Sequence, residues 1–376
     1  MSTPGTSTRH FRYAVLAEEL QREIEQGIYP VGSKMPSERA LARKYDVTHI
    51  TVRQSFDVLE RQGLVIRTPG SGTYVNATLE RPIIGILFGP KLTEESAHFY
   101  RSLLSSLERY VDALSCRCRS YDGFNDANVE IADQYPAYQA LLSDAKHHPF
   151  KAYIKISVND PGWGTIQPLK GLPLSSFGLL KSEFTHDYYG FAEDCMEHAM
   201  QCGFRKMLYI RGFSSISDDL KAFKDVAKRH NIAVPDCIQL DGYHTVIKPD
   251  AAAHMEIRRL VAQWKRADSW PDVIIVSDDI VTRGVALGLI EAGNEAVKRV
   301  AVITHVNEGV EHHYGIPTIR YAFSPAEVGL RLCERLQQHI ENPHLPPQPQ
   351  AKLRGKLLAL QNGLHSPVHA FGLAAH

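Results

Sequence analysis

The chain has 376 residues, of which 44% are hydrophobic and 22% charged, so it is long enough for two or three globular domains and is neither disordered nor collagen-like. Lys plus Arg and Asp plus Glu both number 42, which gives no whole-chain field to attract a polyanion; any nucleic-acid contact must be local. No apolar run approaches the roughly 18 residues of a spanning helix, and the opening MSTPGTSTRH lacks a signal-peptide core, so a cytoplasmic protein with no membrane partner is expected.

Six cysteines without a Cys-x-x-Cys pair match neither a disulfide framework nor a zinc ribbon, and reduced thiols are expected. His312-His313 and His365-x-x-x-His369 come nearest to ligand spacing, but no carboxylate pair accompanies them. Neither a metal nor a cofactor is expected.

Two rhythms follow one another. Residues 1 to 10 read as a flexible tail, 11 to 76 as a small unit of short helices and one hairpin, and 77 to 82 as a linker ending in Pro82. Residues 83 to 376 alternate β-rich runs with helical stretches, the pattern of a parallel sheet covered by helices.

In the small unit, Tyr13, Leu16, Leu20, Ile24 and Ile28 form a stripe at helical spacing that Gly27 closes. Ser37 is placed as the N-cap of a second helix through Ala40, Leu41 and Tyr45. A tight connection, Asp46-Val-Thr48, leads to a third helix with Val52, Phe56 and Leu59 on one side and Ile50, Arg53, Gln54 and Asp57 on the other. Gly63 ends it, and two short strands flank Pro69-Gly-Ser-Gly72, a hairpin with a slender tip.

From Ser33 to Gly72 there are seven basic residues (Lys34, Arg39, Arg43, Lys44, Arg53, Arg61, Arg67) against four acidic (Glu38, Asp46, Asp57, Glu60). From Phe11 to Gly32 the balance reverses, with Arg12 and Arg22 against Glu18, Glu19, Glu23 and Glu25. A phosphate backbone would favour the later elements over the first helix, although an ordinary solvated face would carry the same charges.

Four blocks decide between those readings. Gly27-x-Tyr-Pro-x-Gly-Ser-Lys-Met-Pro-Ser-Glu-Arg-Ala-Leu-Ala, Val47-Thr-x-x-Thr-Val-Arg-Gln, Leu59-Glu-x-x-Gly-Leu-Val and Gly70-x-Gly-Thr-Tyr-Val together resemble the winged helix-turn-helix of the GntR (gluconate repressor) family. The third helix then suits a major groove about 12 Å wide. Arg53 is long enough to fork onto guanine, Thr48 and Thr51 suit phosphates or a thymine methyl, and Ile50 adds an apolar contact. Ser37 and the N–H groups after it suit a phosphate oxygen, and the wing near Gly70 and Ser71 is slim enough for the minor groove. The resemblance implies that Arg39 and Arg53 read bases. His49 stands where many members carry arginine, which predicts an altered operator and a smaller salt dependence.

In the larger region, strands are predicted at Ile83 to Phe88, Cys118 to Tyr121, Ala152 to Ser157, Pro173 to Phe177, Lys206 to Ile210, Ile238 to Leu240, Asp272 to Val276, Arg299 to Ile303 and Thr318 to Tyr321. Helices are predicted at Ser102 to Leu114, Val129 to Leu142, Asp187 to Gln201, Ser217 to His230, Ala251 to Arg266, Thr282 to Ala292 and Pro325 to Ile340. This is doubly wound α/β alternation, which binds ligands beyond the carboxyl ends of its strands.

Asp187-x-x-Gly190, Pro271-Asp-Val-Ile-Ile-Val-Ser-Asp-Asp279, Gly284-x-Ala-Leu-Gly288, Glu291-Ala-Gly293, Pro317-Thr-Ile-Arg320 and Glu327-x-Gly329 resemble the effector domain of the LacI (lactose repressor) family, which shares the fold of periplasmic sugar-binding proteins. The expected fold is therefore α/β: an N-terminal winged helix-turn-helix followed by a two-subdomain, doubly wound, periplasmic-binding-protein-like domain. Crossings are expected near Phe177 to Phe184, near Pro317 to Phe323 and at the end of the last helix.

Candidate ligand residues at strand ends are Tyr121, Asp122, Phe213, Asp219, Tyr243, Asp278, Asp279, His305 and Asn307. Two departures from the family count against an ordinary free hexose. Asp219 stands where an arginine is common, and Thr304-His-Val-Asn307 replaces a Gly-aromatic-Asp-Asp motif.

The combination resembles the arabinose-repressor-like subgroup and implies a homodimeric regulator, a repressor, that binds double-stranded operator DNA and answers to a sugar-like effector. The alternatives are an enzyme fused to a winged helix, as in the aminotransferase-like branch of the same family, and a sugar-binding module without operator control. No phosphate-cradling glycine loop, cofactor-lysine motif or Gly-x-Ser-x-Gly elbow supports the first.

Overall fold

The computed structural model describes residues 7–77, 81–94, 97–125, 136–158, 169–178, 181–212, 218–240, 248–310 and 313–358. The small unit comprises α1 (Ser7–Glu25), α2 (Glu38–Lys44), α3 (His49–Arg61), β1 (Val65–Thr68) and β2 (Gly72–Val75). Ser7 to His10 belong to α1, so the expected tail is shorter than residues 1 to 10. Leu16, Leu20 and Ile24 pack with Leu41, Val52, Phe56, Leu59, Val65 and Val75 in one core. Ile28 leaves the stripe, 54% exposed, because the helix stops at Glu25 and Gly27 turns the chain with φ 75°.

β1 and β2 pair antiparallel from Val65↔Val75 to Thr68↔Gly72, and a bridge between Lys34 and Tyr74 adds a third short edge. Gly72 has φ 125°, a backbone conformation that a residue with a β-carbon adopts only under strain; the neighbouring Lys34 side chain could swing away, so the backbone and not the space calls for glycine.

The larger region holds two six-stranded sheets. The first has the order β13-β7-β6-β5-β3-β4, from β3 (Ile83–Phe88), β4 (Arg117–Asp122), β5 (Phe150–Ile156), β6 (Leu174–Phe177), β7 (Phe184–His186) and β13 (Ala351–Leu353). The second has the order β14-β12-β11-β10-β8-β9, from β8 (Met207–Arg211), β9 (Asp236–Gln239), β10 (Val273–Val276), β11 (Ala301–Asn307), β12 (Ile319–Phe323) and β14 (Lys356–Leu358). Neighbours run parallel except β12 with β14.

Helices cover both faces of each sheet, which is why the strands read as apolar runs rather than clean alternations. Ile84, Ile86 and Phe88 pack with α4 (His98–Ala113) and α11 (Pro325–Glu341), while Leu87 faces α5 (Pro136–His147). In the second sheet Val273 and Ile275 pack toward α6 (Tyr188–Gln201) and α7 (Asp218–His230). Ile274 and Val276 pack toward α8 (Pro249–Ala267), α9 (Asp279–Glu291) and α10 (Asn294–Arg299).

The Gly284-x-x-x-Gly288 spacing has a direct cause. A β-carbon on Gly284 would lie 1.9 Å from the Asp250 carbonyl oxygen, and one on Gly288 2.6 Å from an Ile257 methyl, so α9 meets the backbone of α8 at the first glycine and its Ile257 side chain at the second.

The chain crosses between the sheets three times: from β7 to α6, from β12 to α11, and from β13 to β14. The first crossing comes after His186, just beyond the expected stretch, and the third lies at residues 353 to 356 rather than at the end of the last helix. β7, β13, β14 and α10 are short elements that periodicity does not reveal. Part of the helix expected at Val129 to Leu142 lies outside the described residues; the observed helix starts at Pro136 and runs to His147.

All six cysteines are free thiols. Among the described residues, no helix is long and apolar enough to cross a membrane, and no cluster of three His, Cys, Asp or Glu side chains could hold a metal ion. His312, His365 and His369 lie outside the described residues.

Candidate nucleic-acid interface and ligand cleft

The capping residues organise the candidate DNA face. Ser37 Oγ accepts from Ala40 N at 3.2 Å and starts α2, with Arg39 exposed in its first turn. Thr48 Oγ1 accepts from Thr51 N at 3.2 Å and lies 2.9 Å from Thr51 Oγ1, so both threonines fix the start of α3. His49, Ile50 and Arg53 are exposed on that helix, while Val52, Phe56 and Leu59 are buried behind it.

Arg53 is not a loose side chain. Its guanidinium donates to both Glu38 oxygens, at 3.3 and 3.1 Å, so α2 holds it beside α3, and the Glu38 contact raises its pKa. Arg67, counted in the sequence only as a charge, is a tie: it donates to Asp57 at 2.6 Å and to the Arg53 carbonyl at 2.8 Å, fastening the wing to α3. Gly70 and Ser71 are exposed at the wing tip, where Ser71 Oγ lies 2.7 Å from Tyr74 Oη.

Lys44 drops out of the basic face. It turns back onto Glu23 at 2.6 Å and Tyr29 at 3.2 Å. Burial alone would raise the Glu23 carboxyl, but hydrogen bonds from Lys44 and Tyr45 bring it below its ordinary value. Lys34, Arg39, Arg43, Arg53 and Arg61 remain exposed.

In the larger region, the crossings at His186 and Phe323 leave from the carboxyl ends of parallel strands, so those ends of the two sheets face one another. His186 of the first sheet stacks on Phe323 of the second with centroids 4.1 Å apart, and lies 6.2 Å from His305. Phe99 and Phe177 complete the surround of His186 at 5.1 and 5.0 Å. Burial drives the His186 imidazole well below its ordinary pKa, with His305 adding to the effect, so it is uncharged.

Asp278 caps α9, its Oδ1 accepting from Ile280 N at 2.9 Å and Val281 N at 3.0 Å. Asp279 Oδ2 accepts from Asn307 Nδ2 at 3.2 Å. His305 Nδ1 lies 3.1 Å from the Ser277 carbonyl oxygen, while His305 Nε2 and Asn307 Oδ1 are buried without a partner among the described residues. Tyr100 and Tyr188 are half-buried nearby; burial pushes both hydroxyls up, opposed at Tyr100 by a hydrogen bond to Ser157 and reinforced at Tyr188 by Tyr100, with the field of Asp278 adding to the rise at both. Asp278, His305 and Asn307 thus meet at one place.

Three other sequence candidates have partners elsewhere. Asp219 accepts from Tyr209 Oη, from Arg211 Nε and Nη2, and from Leu220 N, at 2.5 to 3.2 Å, which occupies both carboxylate oxygens. Its partner Arg211, one residue past the predicted strand, was not anticipated. Tyr121 lies in the opposite layer among Phe124, Tyr138 and Leu141, its hydroxyl donating to Asp144 at 2.6 Å. Asp122 accepts from Leu92 N at 2.6 Å. Tyr243 and Phe213 lie outside the described residues. His186, Tyr100 and Tyr188 escaped sequence reading because they stand at a crossing and on a helix, not in a recognisable motif.

Comparisons with known proteins bear on both regions. Residues 12–75 match the family model "Bacterial regulatory proteins, gntR family". Over 77 residues the chain is 34% identical to a protein of Escherichia coli (strain K12) described as "Probable fructoselysine utilization operon transcriptional repressor", covering 20% of this chain and 32% of that one. The chain therefore matches about a third of that relative's length.

Two solved structures cover the larger region. The lac repressor dimer bound to operator and the anti-inducer ONPF superposes with a TM-score of 0.56 at 13% identity, over 74% of this chain and 93% of that one. A periplasmic binding protein/LacI transcriptional regulator from Alkaliphilus metalliredigens QYMF, complexed with D-xylulofuranose, gives 0.54 at 17%, over 74% and 97%. The protein accordingly carries a GntR-family helix-turn-helix domain at its N-terminus, joined to a domain with the fold of LacI-family and periplasmic-binding-protein-like regulators.

Proposed function

We propose that this protein is a ligand-responsive transcription regulator, a repressor, that binds double-stranded operator DNA and is controlled by a small sugar-like molecule held between its two α/β subdomains. The observation that carries the reading is the exposed edge of α3, with His49, Ile50 and Arg53 outward and a slim wing tied beside it, inside the segment that matches the GntR family. Ser37, Arg39, Thr48, Thr51, Gly70 and Ser71 complete the DNA surface, the caps presenting helix N-termini to phosphate. The matched relative is described as an operon repressor, which supports the same role here.

The effector would sit among Asp278, His305 and Asn307, where the carboxyl ends of the sheets meet; the sugar in the Alkaliphilus structure supports a polyhydroxylated ligand. Three crossings allow the subdomains to change their angle, and a ligand with higher affinity for one angle shifts that equilibrium. The reading is of a binding protein acting in the cytoplasm, where its operator is, and needs neither metal nor cofactor.

Two copies would read a pseudo-palindromic operator. Leu287 and Ile290 on α9, 47% and 45% exposed, suit a homodimer contact. An electrophoretic mobility shift of the full chain on DNA upstream of its own gene, with and without a panel of sugars, tests the proposal. A retarded complex whose amount changes with one sugar is expected; no complex at low ionic strength under any condition rejects it.

A further inference from the structure

The amino end of β4 points away from the cleft, and there the small unit meets the first sheet. β4 is the outermost strand of that sheet, so its free edge carries backbone groups that no strand pairs. A cavity of about 240 Å³ opens beside it, lined by Gln62, Gly63 and Asn76 of the small unit and by Arg81, Arg117 and Arg119 of the first subdomain.

Arg117 and Arg119 are two residues apart on β4 and share one face of it. Arg117 Nη2 and Arg119 Nε are buried and have no hydrogen-bond partner among the described residues. Arg119 keeps an ion pair with Asp144 at 3.5 Å, but that carboxylate already accepts the Tyr121 hydroxyl at 2.6 Å. Arg117 has only the Arg81 carbonyl oxygen, 3.4 Å from its Nε. Burial, then the charge of Arg119, depresses the Arg117 guanidinium, against the pull of Asp144 and Tyr121. A guanidinium does not shed its proton, so an anion is what would compensate it.

The other groups at the cavity leave that role open. Asp112 is engaged by Arg81 at 2.9 Å, and Glu108 is exposed to solvent, where its charge is screened. Burial, then the field of Glu108, pushes the Cys118 thiol up to about 12, so it supplies no thiolate. Three arginines against two carboxylates leave the lining positive. The volume is several times the roughly 30 Å³ of one water and below the roughly 300 Å³ at which pockets for drug-sized ligands begin, which suits a small occupant.

We propose that this junction is an anion site, in which Arg117 and Arg119 grip one oxyanion group, a phosphate or a carboxylate, of a small ligand that also lies against Gln62 and Asn76. Forked guanidiniums donate paired bonds to such a group, and their orientation is already fixed by β4. An anion held there touches both units at once, so it ties the small unit to the first subdomain. The site is separate from the cleft and stands or falls without the effector reading.

Isothermal titration and thermal unfolding of the full chain test it with inorganic phosphate, sulfate, citrate and D-glucose 6-phosphate, compared with D-glucose and with sodium chloride at equal ionic strength. At least one anion at millimolar concentration should raise the unfolding temperature by about two degrees or more where chloride and glucose do not. Tighter binding of free phosphate than of the sugar phosphate assigns the site to the ion itself, and the reverse order to the anionic end of a metabolite. Arg117→Met keeps the apolar stem without the charge and should weaken the anion about tenfold or more. Arg258→Met, on α8 and outside the lining, should leave it unchanged. Gln62→Glu sets a carboxylate on the side of the small unit and should weaken the anion about fivefold; it serves if Arg117→Met fails to fold.

The proposal is overturned if no anion exceeds chloride, or if Arg258→Met loses as much as Arg117→Met. It is also overturned if Arg117→Met binds fully, since the anion would then sit in the cleft or on the DNA face. Should Arg117→Met not fold, full binding by Gln62→Glu overturns it instead.

Discussion

Arg53 shows what a single position contributes on the DNA face. Its side chain is exposed but held by Glu38 across two helices, so the guanidinium is oriented before DNA arrives and less entropy is lost on binding. Arg53→Ala should weaken operator binding about 5- to 150-fold and relax preference at one base pair, measured by titration against operators varied one base at a time. Unchanged affinity would remove Arg53 from base readout. Arg53 was legible in the sequence because amphipathicity alone puts it opposite Val52, Phe56 and Leu59.

Asp219 and Tyr121 were not legible in that way. Both stand near strand ends, yet a parallel sheet is covered on both faces, and spacing cannot say which layer a side chain enters. Asp219 serves a buried ion pair with Arg211, and Asp219→Ala should cost about 3–5 kcal/mol of unfolding free energy by stranding that guanidinium. Urea denaturation checks it; a loss below about 1 kcal/mol would mean that water reaches Arg211 freely.

At the scale of elements, two caps have double meaning. Thr48 was expected at the DNA surface, and its hydroxyl also accepts from Thr51 N to start α3. Thr48→Ala should therefore lower stability by about 1 kcal/mol even without DNA, whereas Thr48→Ser should restore it, as read by thermal unfolding. Equal stability of the alanine variant would make the cap dispensable. Asp278 caps α9 in the same manner, so Asp278→Ala would confuse loss of a cap with loss of a ligand group. Asp278→Ser keeps a capping oxygen without the charge, and should retain operator binding and near-normal stability while losing the effector response. A full response in that variant would place the ligand elsewhere.

Most long elements could be anticipated, since α3, α6, α8 and α11 carry caps or apolar stripes that persist for several turns. β13 and β14 could not. Each has three residues, both follow a proline-rich stretch, and they exist as strands only because β7 and β12 offer them an edge. They nonetheless build the third crossing, so the hinge was only partly legible.

For the whole molecule, the question is whether DNA binding and ligand binding belong to units that fold separately. Leu16 through Val75 form one buried cluster, and the clusters of the larger region all begin at Ile84 or later. The named β-sheets divide at the same place, with β1 and β2 pairing with each other and, through Tyr74, with Lys34 of the same unit. Cutting at residue 76 therefore opens neither core, and the remaining chain keeps both six-stranded sheets and their helices. The fragment lacking residues 1 to 76 should unfold cooperatively and be stabilised by whichever sugar stabilises the full chain, while losing all operator binding. Calorimetry of fragment and full chain side by side measures this. A fragment that melts without a cooperative transition would show that the small unit holds the larger one together, and control of the operator would then have to pass through a shared core rather than through a hinge and a linker.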